Sequence, residues 1–69
     1  MIIVYSEHAQ KRMNQRGITP LEIKEILRSP IYIKKSFEGT REALGILKNR
    51  TVKIKFVTEE NYIRIITVM

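Results

Sequence analysis

The chain has 69 residues, with thirteen Lys and Arg against seven acidic residues and a formal net charge of +6. It reads as one domain, residues 1–69, near the size below which a core needs staples, since so short a chain buries only about 60% of its unfolded surface. With no cysteine, disulfides and thiolate metal sites are excluded; a single histidine argues against an all-protein zinc site, and no metal or cofactor is expected.

The first residues, Ile2-Ile3-Val4-Tyr5, are β-branched or aromatic and predict a short strand. Ser6 is a candidate N-cap for a helix over 7–16, in which Ala9 and Met13, four apart, make a narrow apolar face. Gly17 stands where the left-handed residue of a Schellman ending belongs, with Ile18 placed to touch Met13. Thr19, Pro20 and Glu22 then open a second helix over 20–28 as cap, first-turn proline and capping-box partner, with Ile18 and Ile23 as a hydrophobic staple. Ile23, Ile26 and Leu27 give that helix its core-facing stripe, and Ser29-Pro30 ends it.

From Ile31 the apolar period changes from 3.6 to 2. A strand begins there, Phe37-Glu38-Gly39-Thr40 makes a turn, and residues 41–48 form a third strand in which Gly45 marks a bulge or a close approach. Asn49-Arg50 turns the chain into a fourth strand, 51–58, with Val52, Ile54 and Phe56 on one side and Lys53 and Lys55 on the other. After Glu59-Glu60-Asn61 comes a last strand, 62–68, whose near-continuous apolar run predicts a central position buried on both faces. The expected architecture is α+β, in the order β-α-α-β-β-β-β, with two N-terminal helices packed on an antiparallel sheet.

The charge bias points to an anionic partner, RNA or another nucleic acid or an acidic protein, although Lys, Arg and Glu also simply solvate a small surface. No apolar run approaches the roughly 20 residues of a membrane span, and the first six residues lack the charged region of a signal peptide. A soluble, cytoplasmic protein with no membrane partner is the expectation. An exposed sheet edge would allow a homodimer by strand pairing.

Two constellations carry chemistry. On the first helix His8, Arg12 and Gln15/Arg16 fall on one polar stripe. Guanidinium groups there would hold a phosphate and the imidazole would move a proton; the plainer reading is a histidine packed near the sheet edge beside solvated arginines. On the strands, Lys53, Lys55, Arg41, Lys48 and Arg64 supply cations. Arg64 interrupts the most apolar strand, so it either faces a polar cleft or pairs with a glutamate, Glu7 or Glu42. Tyr32 and Tyr62 read as core residues with a wet tip, and the aromatics do not form an interleaved stacking platform.

The run Ser6-x-His8-Ala9-x-x-Arg12-Met13-x-x-Arg16-Gly17-Ile18, followed by a capped helix, resembles the opening signature of the domain of unknown function numbered 4258, and the closing Ile65-Ile66-Thr67-Val68 is similar to that family's last strand. The resemblance implies a fold similar to the RelE and BrnT class of ribonuclease toxins, with a curved antiparallel sheet. That class cuts RNA without metal and is held inactive by an antitoxin, here expected to be acidic. The motif match covers His8, Arg12 and Arg16 only. In the resulting expectation His8 is the general acid or base and Arg12 and Arg64 stabilise the phosphorane, while Arg16, Arg41, Lys53 and Lys55 bind the nucleic acid and Tyr62 or Glu42 supplies the second proton-transfer group. The alternatives are a non-catalytic binding module using the same basic face, and a scaffold protein whose motif only locks the first helix onto the sheet.

Overall fold

In the computed structural model, which describes residues 2–69, the local rules of the N-terminal half act as their residue types dictate. Strand β1 (Ile2–Tyr5) leads through Ser6 into helix α1 (Glu7–Arg16), and helix α2 (Pro20–Arg28) follows after a corner of three residues. The Ser6 hydroxyl accepts from the Ala9 N–H at 3.0 Å, so one orphan amide of the first turn is satisfied. Gly17 takes φ 67°, and the Ile18 N–H donates to the Met13 carbonyl at 2.9 Å, the long hydrogen bond of a Schellman ending. At the next helix the Thr19 N–H donates to Glu22 Oε1 at 2.9 Å while the Glu22 N–H donates to Thr19 Oγ1 at 3.2 Å, a complete capping box. Met13, Ile18 and Ile23 are all buried, which fixes the entry angle of α2.

The second half is an antiparallel meander of β2 (Tyr32–Lys35), β3 (Arg41–Leu47), β4 (Arg50–Thr58) and β5 (Tyr62–Val68), with a 3₁₀ turn at Phe37–Gly39 between β2 and β3. The sheet order is β1-β5-β4-β3-β2, and β1 pairs with β5 in parallel. The all-antiparallel sheet expected from the sequence is therefore a mixed one. No tight turn joins β1 to β5, so the two helices and the number of reversals in the meander set their relative direction, and local pattern carries no information about it.

The β3–β4 turn lies one residue earlier than expected. Lys48 and Asn49 both take positive φ, 50° and 67°, the pair required by a two-residue hairpin turn whose twist suits the flanking strands, and Arg50 already belongs to β4. Lys48 then reaches Glu22 at the start of α2, with 3.7 Å between ammonium and carboxylate. On the same side, the Arg50 guanidinium donates to the Arg16 carbonyl at the end of α1. This hairpin clamps the helix–helix corner.

Strand β5 is interior, between β1 and β4, but it is not buried on both faces. Its apolar run reflects a register break: Lys55 pairs with Thr67 and Phe56 with Ile65, which leaves Ile66 as the extra residue of a bulge. The bulge turns both Ile65 and Val68, three apart, toward the helices, where both are fully buried. Ser6 ties it down, donating its hydroxyl to the Ile66 carbonyl at 2.8 Å. The core joins Ala9, Met13, Ile18, Ile23 and Ile26 from the helical side to Ala43, Val52, Ile54, Phe56, Ile65 and Val68 from one face of the sheet. Gly45 is the close approach: a Cβ built there would stand 2.6 Å from Ile26 Cγ2. Among the described residues, the other face of the sheet carries no helix.

Candidate functional site

The α1 stripe builds a hollow. Ala9 and Met13 commit one side of the helix to the core, so His8, Lys11, Arg12 and Gln15, at i, i+3, i+4 and i+7, share an outward sector. They line a depression of about 330 Å³ with no contribution from any other element. His8 and Lys11 are exposed and Arg12 is partly buried. Arg16 stands outside this hollow, exposed at the helix end with its carbonyl capped by Arg50. Lys11 is the cation that the motif did not single out; its i+3 spacing from His8 is the signal that finds it.

The uncovered sheet face gathers a second group. Strand alternation places Lys53 and Lys55 of β4 and Arg64 of β5 on the side opposite Ile54 and Ile65, and so on the side away from both helices. Arg64 is exposed and belongs to no ion pair among the described residues, so neither Glu7 nor Glu42 neutralises it. Its expected position beside His8 is not formed, because the two side chains belong to opposite sides of the sheet. Arg41 is exposed at the start of β3, in register with Phe56 and hence on the helix side of the sheet.

On the β3 part of the uncovered face lies Glu42, only 7% exposed, with Lys34 and Lys55 as its cross-strand partners on β2 and β4. The Tyr32 hydroxyl donates to Glu42 Oε2 at 2.9 Å, and the Lys34 ammonium stands 3.6 Å from the same oxygen and 5.4 Å from the Tyr32 ring centre. The Tyr32 hydrogen bond holds the Glu42 carboxyl below its usual range, with Lys34 and Lys53 acting in the same direction against the opposing effect of desolvation. The same hydrogen bond pushes the Tyr32 phenol up, since losing its proton would break it beside a carboxylate. Glu42 is thus an ionised, structurally engaged carboxylate, and the expectation that Tyr32 is a core residue with a wet tip gives way to a hydroxyl committed to it. Tyr62 lies partly buried on this face as well, so neither candidate for a second proton-transfer group lines the α1 hollow.

Two further features bear on the site. A hollow of about 480 Å³ between α2 and the β1–β5 edge is floored by Ile3, Leu27 and Ile63 and rimmed by Lys24 and Arg28. Tyr5, on the helix side of β1, has a buried hydroxyl without a hydrogen-bond partner among the described residues, and burial pushes its phenol up. Among the described residues no cluster of His, Asp or Glu could hold a metal ion, and no helix is long and apolar enough to cross a membrane.

No curated protein and no solved structure matches the chain. A family model described as Domain of unknown function (DUF4258) matches residues 5–69, which takes in the α1 stripe, the capped corner and every strand of the meander. The chain belongs to that family.

Proposed function

We propose that this protein is a metal-independent endoribonuclease that cleaves RNA by attack of the 2′-hydroxyl on the adjacent phosphate. The observation that carries the reading is the α1 hollow, where His8 shares one depression with Lys11 and Arg12 on a chain of net charge +6. Imidazole is the side chain suited to proton transfer near neutral pH, and two cations beside it suit a phosphate whose charge grows in the transition state. In the step, the 2′-oxygen forms a bond to phosphorus, the bond to the 5′-oxygen breaks, and His8 takes the 2′-OH proton. The leaving 5′-oxygen takes its proton from solvent. Lys11 and Arg12 stabilise the phosphorane, a role that passes to Lys11 from Arg64. Lys53, Lys55 and Arg64 hold flanking backbone on the other face, while Arg16 and Arg41 hold it on the helix side, at the ends of their elements. On this reading the chain would act as the RelE and BrnT class of toxins does, and an acidic antitoxin would then mask these cations.

The second reading is a nucleic-acid-binding module without catalysis. It is favoured by one observation: neither group expected to act with His8 lines the hollow, since Glu42 and Tyr62 face away on the sheet. The two readings part in a cleavage assay on a labelled RNA pool in EDTA, with wild type and His8→Ala in parallel. Cleavage leaving 2′,3′-cyclic phosphate ends, lost in His8→Ala at unchanged melting temperature, is the expected result. RNA bound but left intact by the folded wild type, with and without ribosomes, would overturn the enzyme and leave the binding module.

A further inference from the structure

The β2–β3 loop presents a feature that neither the hollow nor the uncovered face uses. Phe37 is 77% exposed, the most exposed of the large apolar side chains among the described residues. An aromatic ring left in water forfeits most of the burial that such side chains ordinarily supply. Nor does the ring swing on a loose loop. The Phe37 carbonyl accepts from both the Thr40 N–H at 3.2 Å and the Thr40 hydroxyl at 2.6 Å, and the Ser36 N–H donates to the Thr40 carbonyl at 2.8 Å. Glu38 and Gly39 at φ 57° and 76° close the turn behind it. Immediately below, Lys35 and Arg41 are direct cross-strand partners, two like charges opposite each other, a pairing that costs stability. Both are exposed, and neither belongs to an ion pair among the described residues. With Ser36, Gly39 and Thr40 they line a hollow of about 280 Å³. Glu38 is the one acid in the loop, and it too is exposed.

We infer that this loop is a binding site for an unpaired nucleotide of single-stranded RNA, with a base stacked on Phe37 and the adjoining phosphate held between Lys35 and Arg41. The unpaired cation pair supplies what an anion would neutralise, and the exposed ring, on a turn whose backbone is already hydrogen-bonded, supplies a stacking face. A stacked base also explains why one aromatic suffices, since every base offers a π-face and no platform of several rings is required. The inference rests on the RNA reading above and names the form of RNA held: a strand with at least one base out of a duplex.

The chain has no tryptophan, so Phe37→Trp carries a single fluorophore at the loop. The probe is a 2′-O-methyl uridine decamer, which binds but cannot be cleaved by 2′-hydroxyl attack. Its binding should quench the Phe37→Trp fluorescence, and Phe37→Ala should bind the decamer about 5- to 150-fold more weakly than wild type, the worth of one stacked base. Lys35→Gln and Arg41→Gln should each lower the salt slope of binding by about 0.7. Binding of a duplex of equal length should be unchanged in Phe37→Ala. Decamer binding by wild type that persists undiminished in Phe37→Ala would overturn the inference and leave the proposed function standing. A wild type that binds no RNA would overturn both. A blue shift of Phe37→Trp on vesicles of equal phosphatidylglycerol and phosphatidylcholine, without quenching by the decamer, would make the loop a membrane contact and overturn it as well.

Discussion

Replacement of Gly45 by alanine tests the packing of α2 on the sheet, because two effects of opposite sign meet at one atom. Glycine in a strand interior is entropically unfavourable, so Gly45→Ala on an open strand would stabilise the fold by about 0.4–1 kcal/mol. Here the added methyl would lie 2.6 Å from Ile26 Cγ2, 2.7 Å from Cγ1 and 3.1 Å from Cβ. Ile26 is 3% exposed, and its neighbours in the core leave it no free direction in which to yield. Overpacking of this kind costs about 1–3 kcal/mol, so the expected net effect is destabilisation. For a domain of this size each kcal/mol lowers the melting temperature by about 4–8 °C. Urea unfolding followed by circular dichroism gives the free energy and melting scans give the temperature shift. Ile26→Ala removes both γ-carbons and by itself costs about 2–5 kcal/mol through the cavity it leaves. The added methyl would partly refill that cavity, so the double variant should be no less stable than Ile26→Ala alone, with a coupling of about 1 kcal/mol or more. A Gly45→Ala protein as stable as wild type, or a strictly additive double variant, would refute the contact.

Ser6→Ala removes both the α1 cap and the hydrogen bond to the bulge carbonyl of Ile66, and it should cost about 0.5–2 kcal/mol in urea unfolding. Glu42 and Glu22 are both held below the usual carboxylate range, by the Tyr32 hydroxyl and by the Thr19 N–H respectively. Their contribution is complete above the unfolded carboxylate pKa and is lost as pH falls through the depressed folded value, so the stability gap between wild type and Glu42→Gln should close in acid. Tyr32 shifts the other way, and its contribution should fade as pH rises through and beyond the ordinary tyrosine range; spectrophotometric titration of Tyr32→Phe against wild type checks this. Lys53→Gln and Lys55→Gln should each reduce the salt slope of RNA binding by about 0.7 while leaving the fold intact, as read by fluorescence anisotropy over a salt series.

The helix–corner–helix was legible residue by residue, because each rule there acts within one or two turns. Ser6, Gly17, Thr19, Pro20 and Glu22 act on backbone groups three or four residues away, and the bounds of α1 and α2 follow from them. Strand alternation likewise located the core side of β4, and Gly45 signalled a close approach without naming Ile26 as its partner. The sites were legible in part: i, i+4 spacing brings His8 and Arg12 into one hollow, and period 2 puts Lys53 and Lys55 on one face.

What tertiary structure alone decided are the relations between segments far apart in the chain. The parallel pairing of β1 with β5 depends on how the meander returns, and the bulge at Ile66 depends on a partner strand and on Ser6, 60 residues earlier. The same register puts Arg64 and His8 on opposite sides of the sheet, and it buries Glu42 beneath Tyr32 and beside Lys34, where the sequence offered it to Arg64 or to proton transfer. Local sequence carries capping and periodicity because those forces are short-ranged; it does not carry which strand lies beside which, and that choice sets which charges meet.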